Sequence, residues 1–195
     1  MLQNLPDDVG RALRAQRAGT DQLACTLVER PGELSAIELS SPAFADDAAL
    51  PTEYTADGAG RSPPLQWRGV PAGTVSLVLI VEDADAPTPQ PLVHAIAVDL
   101  PAHDGGLDEG ALGGANDQVT DGVTTGRNSY LQTRWLPPDP PPGDGKHRYH
   151  FQLFALAAGA KFSSKPEHDE VLDALRHYAI ASGRLIGTYE RAEGA

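Results

Sequence analysis

The chain has 195 residues, enough for one domain with a real core and short for two. Its formal charge of −12 argues against nucleic acid and anionic membrane surfaces as general partners, since both repel an acidic protein. Cys25 is the only cysteine, which excludes an intrachain disulfide and a cysteine zinc site.

No segment is apolar for long enough to span a membrane. Asp7, Asp8, Arg11, Arg14 and Arg17 interrupt the N-terminus where a signal peptide needs an apolar core, so a cytoplasmic protein is expected. Residues 5–17 read as a short amphipathic helix: Leu5, Val9 and Leu13 recur at four-residue spacing, acids come early, arginines late, and Gly19 follows. A helix this short is marginal alone, so its stripe must dock. Docking on the chain's own domain is the plainer reading; bracing a homodimer is the other.

Leu23 to Val28 and Ala36 to Leu39 have a strand-like pattern. A turn-rich connection leads to a long polar loop from Tyr54, which closes on Leu65 and Trp67, two residues apart and facing the core together. Ser76 to Val81 is a continuous aliphatic run that reads as a buried strand. It ends in acid. In an extended chain Asp83 and Asp85 share one face and Glu82 takes the other. Pro87, Pro89 and Pro91 then force a loop, and Val93 to Val98 resumes as a strand with His94 at its start.

Asp104 to Thr125 is rich in Gly and Asp, without periodicity, and reads as loop. The prolines between Trp135 and Gly143 stiffen the next connection. His147 to Leu156 alternates, with His147, Tyr149, Phe151 and Leu153 on one face. Ser164 and Glu167 have capping-box spacing ahead of an apolar stripe at Val171, Leu172, Leu175 and Ala179. Gly183 is the expected helix terminator, and Leu185 to Glu190 the last short strand. This describes one mostly-β domain with a helix near each end.

Two carboxylates at one strand end and an imidazole at the start of the next make a polar cluster beside a stiff loop, a reasonable place for a site. The plain alternative is that Asp83 and Asp85 cap a turn. A metal-dependent hydrolase using Asp83, Asp85, His94 and His147 is a rival reading, although no strong metal-ligand spacing is present. A serine hydrolase is weaker still: there is no Gly-x-Ser-x-Gly elbow, and Ser62 precedes two prolines. Cys25 is expected to be a small packed residue. His177 is expected to tie its helix to the sheet, and His103, His150 and His168 to be surface or packing residues.

Taken in order, the motifs are more specific. Asp57-Gly, Ser62-Pro-Pro-Leu65 with Trp67, Gly69-Val-Pro, Asp83-x-Asp85-Ala-Pro87, Val93-His94, Leu100-Pro, a proline loop before His147-Arg-Tyr149, and Leu185-Ile-Gly-Thr-Tyr189 follow one another. This order closely resembles the phosphatidylethanolamine-binding protein family, and within it the bacterial Raf kinase inhibitor-like branch. The resemblance covers residues 36 to 191. It divides the chain into an N-terminal helical arm, residues 1–34, and a ligand-binding domain, residues 35–195.

The resemblance implies a Greek-key β-sandwich of antiparallel sheets with a C-terminal helix. It implies a small pocket for an anion such as phosphate, or for a phospholipid headgroup, formed by Asp83, Asp85, His94, Pro138 and His147, with Tyr149 as a neighbour. It further implies a binding protein rather than an enzyme, a homodimer, and possible protein partners such as a kinase; a pure interaction module with a vestigial pocket is the variant of this reading. No cofactor, catalytic residue or metal ligand is implied.

Carboxylates repel an anion, and this is reconciled if Asp83 and Asp85 orient His94 and His147 and raise the pKa of both. Three positions depart from the family pattern. Ala95 stands where a Trp commonly follows the first His. Pro137-Pro138 replaces a Gly-Pro, which removes a backbone donor, and Asp139 replaces a frequent Cys. The last two shift the expected preference from bare phosphate towards a zwitterion.

Overall fold

A computed structural model describes residues 2, 5–28, 34–114 and 117–191. Ten strands carry the fold: β1 (Ser35–Ala36), β2 (Glu38–Ser40), β3 (Ala48–Ala49), β4 (Leu65–Arg68), β5 (Ser76–Asp83), β6 (Leu92–Leu100), β7 (Gly105–Leu107), β8 (Thr124–Thr125), β9 (His147–Leu156) and β10 (Ala179–Tyr189). Among the described residues three α-helices accompany them: α1 (Asp7–Leu13), α2 (Ala24–Val28) and α3 (His168–Tyr178).

The main sheet runs β1-β10-β9-β5-β6-β8, and β3 also pairs with β10. Its long central pairings are antiparallel, whereas β1 and β3 lie parallel to β10. A second, antiparallel sheet, β2-β4-β7, covers one face. Between the two sheets lie Leu39, Leu65, Trp67 and Leu107, packed with Leu77, Leu79, Val81, Phe151 and Leu153. The other face is covered by α2 and α3, whose Ala24, Val28, Val171 and Leu175, with Leu23 just before α2, meet Val78, Ile80, Ile96 and Phe154. Because successive residues of β5 alternate between these two apolar layers, the strand reads as an unbroken hydrophobic run.

Several expectations are corrected. Residues 24–28 are helical, not a strand. A short apolar run has no decisive period, and here the sheet supplies the cap: the Glu82 carboxylate accepts from Ala24 N at 2.8 Å and the Gln152 side-chain carbonyl from Cys25 N at 2.7 Å. α1 stops at Leu13, and its docked residue is Gly10, while Val9 faces outward. The Ser164 capping box does not form: α3 begins at His168 without a side-chain cap, and Glu170 binds Ser163 instead.

Gly183 is not a terminator. It lies within β10, where a Cβ would come within 2.4 Å of the Ile37 carbonyl. His177 does not reach the sheet; its side chain is largely exposed and bonds the Asp173 carbonyl of its own helix. The 104–125 segment contains β7 and β8 as short edge pairings. No helix among the described residues is long and apolar enough to cross a membrane.

Candidate functional site

The site forms where β5, β6 and β9 end together. Asp83 closes β5, His147 opens β9, and Tyr149 pairs directly with Asp83 across the two strands. His94 reaches the same place through an irregularity. β5 pairs Val81 with Ala95 but Glu82 with Val93, so His94 is an extra residue in β6. Such a bulge re-aims a side chain. The His94 ring lies edge-on to Tyr149, with centroids 5.0 Å apart, and 6.0 Å from Trp135.

The proline loop supplies the opposite wall. Leu136 N donates to the His94 carbonyl at 2.8 Å, and the Leu136 carbonyl lies 2.6 Å from His94 Nδ1. Ala56 N donates to the Pro138 carbonyl at 2.9 Å. Buried Arg191 pins the loop from the far end of the chain, bonding the Pro140 carbonyl at 2.6 Å, Asp139 at 2.9 Å and Asp57 at 2.7 Å. That guanidinium, with a bond from Tyr189, holds Asp57 below the usual carboxylate range despite its partial burial.

These walls enclose a cavity of about 450 Å³. Asp83, His94, His147 and Tyr149 line its floor, Leu136, Pro137, Asp139, Pro140 and Pro141 one side, and Pro87 and Leu92 another. Four of the six expected residues are therefore brought together on it. Asp85 and Pro138 are not. Asp85 lies in the turn after β5 and swings to Arg148, meeting Nε at 2.8 Å, Nη2 at 2.9 Å and the backbone N–H at 2.9 Å. Burial raises its pKa, but these donors outweigh burial and the net shift is downward. Pro138 is buried behind the wall while Pro137, Pro140 and Pro141 face the cavity.

The two histidines differ. His147 is held between carboxylates, Nδ1 at 2.7 Å from Asp83 and Nε2 at 3.0 Å from Asp144. Burial opposes its charge, yet Asp83 and Asp144 outweigh burial and raise its pKa. His94 departs from expectation: its pKa is lowered, because complete burial outweighs the distant Asp83 charge and the bond to Leu136. No carboxylate stands within hydrogen-bond reach of it among the described residues. A carbonyl can only accept, so Nδ1 of the neutral ring carries the proton and Nε2 presents a lone pair. That Nε2 is buried and has no hydrogen-bond partner among the described residues.

Two contributors went unseen in the sequence reading. Asp144, three residues before His147, was the more findable, since that spacing places it beside the strand start. Arg17 was not. It arrives from the N-terminal arm, with Nη1 3.1 Å from Asp144 Oδ1 and 3.2 Å from His147 Nε2, and it also donates to the Asp85 carbonyl. Among the described residues no group of three or more His, Cys, Asp or Glu side chains is arranged to hold a metal ion.

The cavity is therefore lined by the carboxylates of Asp83 and Asp139, by His94 with its unpartnered Nε2, by the Tyr149 ring and by apolar walls. Its cations, His147 and Arg17, are already matched by Asp83 and Asp144, and its prolines bring no N–H.

Residues 40–190 match the family model described as phosphatidylethanolamine-binding protein. A UPF0098 protein of Methanothermobacter thermautotrophicus is 34% identical over 155 residues, covering 80% of this chain and 99% of that protein. A UPF0098 protein of Chlamydia pneumoniae is 36% identical over 160 residues, covering 80% of this chain and all (100%) of that one. Among solved structures, a phosphatidylethanolamine-binding protein homolog from Chlamydia trachomatis superposes with a TM-score of 0.71 at 35% identity, covering 80% of this chain and 98% of its own. E. coli YbcL, described as a member of the mammalian family, gives 0.73 at 28% identity over 80% of this chain and 99% of its own. Fold, motif order and relatives agree, and the chain belongs to the phosphatidylethanolamine-binding protein family.

Proposed function

We propose that this protein binds a small phospholipid-headgroup-like ligand, held by a zwitterionic or protonated head rather than as bare phosphate. The observation that carries this reading is His94, which lines the cavity and whose buried Nε2 has no hydrogen-bond partner among the described residues. An unpaired buried acceptor costs free energy until a donor arrives. An ethanolammonium N–H or the P–OH of a monoprotonated phosphate is such a donor. A fully ionised phosphate is not, and it would also face Asp83 and Asp139 across the cavity.

The reading makes the protein a binder rather than an enzyme. His147 commits both ring nitrogens to carboxylates and so serves to fix the floor. Any action on a protein partner such as a kinase would be exerted by the occupied pocket. Titration calorimetry with phosphoethanolamine, inorganic phosphate and sulfate tests the proposal. Phosphoethanolamine should bind tightest and sulfate, which carries no proton at neutral pH, weakest. Equal affinity for sulfate and phosphoethanolamine would overturn it.

A further inference from the structure

The arm before the family region reaches the mouth of the pocket. α1 has seven residues, too few to hold a helix alone, and its only buried residue is Gly10. Helix and proline loop meet backbone to backbone: a Cβ on Gly10 would fall 1.9 Å from the Pro142 carbonyl oxygen. Around that contact the tethers are polar. Leu2 N donates to Asp139 at 3.0 Å, Arg14 to the Gly143 carbonyl at 2.9 Å, and Arg17 to the Asp144 carbonyl at 2.5 Å. Ala18 N and Gly19 N donate to the carbonyls of Ala86 and Ala84 at 3.1 and 2.9 Å. Every acceptor belongs to one of the two loops that frame the pocket. Between these tethers Leu2, Leu5 and Leu13 line the cavity together with Leu92 and Leu136.

We infer that residues 5–19 are a lid that closes the pocket and gives it an apolar subsite, so that the ligand is a headgroup carrying a short apolar body. This rests on the headgroup reading above. A cavity of about 450 Å³ is in the range of small-molecule sites and exceeds what a headgroup alone fills. Apolar walls at Leu5, Leu13, Leu92 and Leu136 would be left facing water if only a polar head were bound. The lid can also open without unfolding the domain. α2, close after it, is fixed by buried Ala24, Cys25 and Val28 with Leu23 just before it, whereas α1 buries no large side chain and rests on close backbone approaches, Gly10 to Pro142 and Asp7 to Gly143, and on polar tethers.

The test uses the full chain and two probes, phosphoethanolamine and its O-hexyl phosphodiester, with calorimetry for affinity and stopped-flow for release. Wild type should bind the hexyl probe more tightly. Gly10→Val drives a side chain into the Pro142 carbonyl and lifts the lid. It should release the hexyl probe faster and weaken it roughly tenfold, while phosphoethanolamine stays within about twofold. Leu5→Ser with Leu13→Ser strips the wall without steric pressure and should cost the same preference, which guards against misfolding of the glycine variant. If both variants keep the full hexyl preference, the arm is no part of the site and the lid is overturned, while the headgroup reading stands. If wild type binds neither probe, the headgroup reading fails and takes the lid with it.

Discussion

Glu82 and Asp83 are consecutive at the end of β5, and their side chains leave it on opposite faces of the main sheet. Glu82 enters the layer under α2 and α3. It is fully buried, and Ala24 N, Gln152 Nε2 and His168 Nε2 surround it at 2.8, 2.7 and 2.9 Å. Asp83 enters the pocket layer, where it holds His147 and receives Asp85 N at 2.8 Å. Both are buried and bonded. What separates them is the neighbourhood: the three partners of Glu82 pack it under the helices, while Asp83 borders open space that His94, His147 and Tyr149 also line. Burial and perturbed chemistry alone do not mark a ligand site, because structural networks show both.

The largest expected effect breaks the closed face. Glu82→Ala strands the first N–H of α2 and the Gln152 amide, and should cost about 3–5 kcal/mol in urea denaturation. An effect below about 1 kcal/mol would show that the two faces do not differ as described.

The next uses His150, whose side chain lies on the Glu82 face. Both its ring nitrogens are buried without hydrogen-bond partners among the described residues. Burial, aided by Arg184 and Arg148, brings its pKa down to about 4. A base with a depressed folded pKa takes up its proton more readily when unfolded. Stability is thus lost as pH falls from the ordinary histidine value towards about 4, by about 2 kcal/mol between pH 7 and 5. His94, also depressed, acts in the same direction. Denaturation of His150→Phe at the two pH values should show most of that slope removed, with stability at pH 7 equal or higher.

On the open face the sign reverses. The raised pKa of His147 stabilises the fold fully below the ordinary histidine value, and this contribution is lost as pH rises through the folded value. Asp83→Asn removes the main group that raises it, so it should cost about 1 kcal/mol at pH 6 and progressively less towards pH 9. A constant cost across that range would mean that His147 is neutral throughout. Smallest in stability is His94→Phe, expected within about 1 kcal/mol of wild type because removal of the unpaired Nε2 offsets loss of the Nδ1 bond to the Leu136 carbonyl. It should nevertheless abolish phosphoethanolamine binding in calorimetry.

The strands were legible where one signal dominated. Ser76 to Val81 is continuous because both its faces are buried, and β9 was bounded at His147 and Leu156 by its alternation. The site was legible as a neighbourhood: strand ends and motif order brought Asp83, His94, His147 and Tyr149 together. Its electrostatics were not. The assignment of a carboxylate to each histidine assumed a regular ladder, and the bulge at His94 turns that ring away from Asp83 and towards Leu136. Asp85 follows the strand end and is captured by Arg148, a neighbour that appears only once β9 lies beside β5. Arg17 and the Leu5/Leu13 wall come from a segment whose local pattern reveals that it docks but not where.

If His94 Nε2 receives the ligand's donor, ¹⁵N NMR of the histidine rings during a phosphoethanolamine titration reads that contact at the atom itself. The free protein should show His94 protonated on Nδ1 alone. Saturation should move the Nε2 resonance from its lone-pair position towards the hydrogen-bonded or protonated one, with both His147 nitrogens nearly unchanged. A titration that saturates while His94 Nε2 stays at its free position would show that the ligand is held elsewhere.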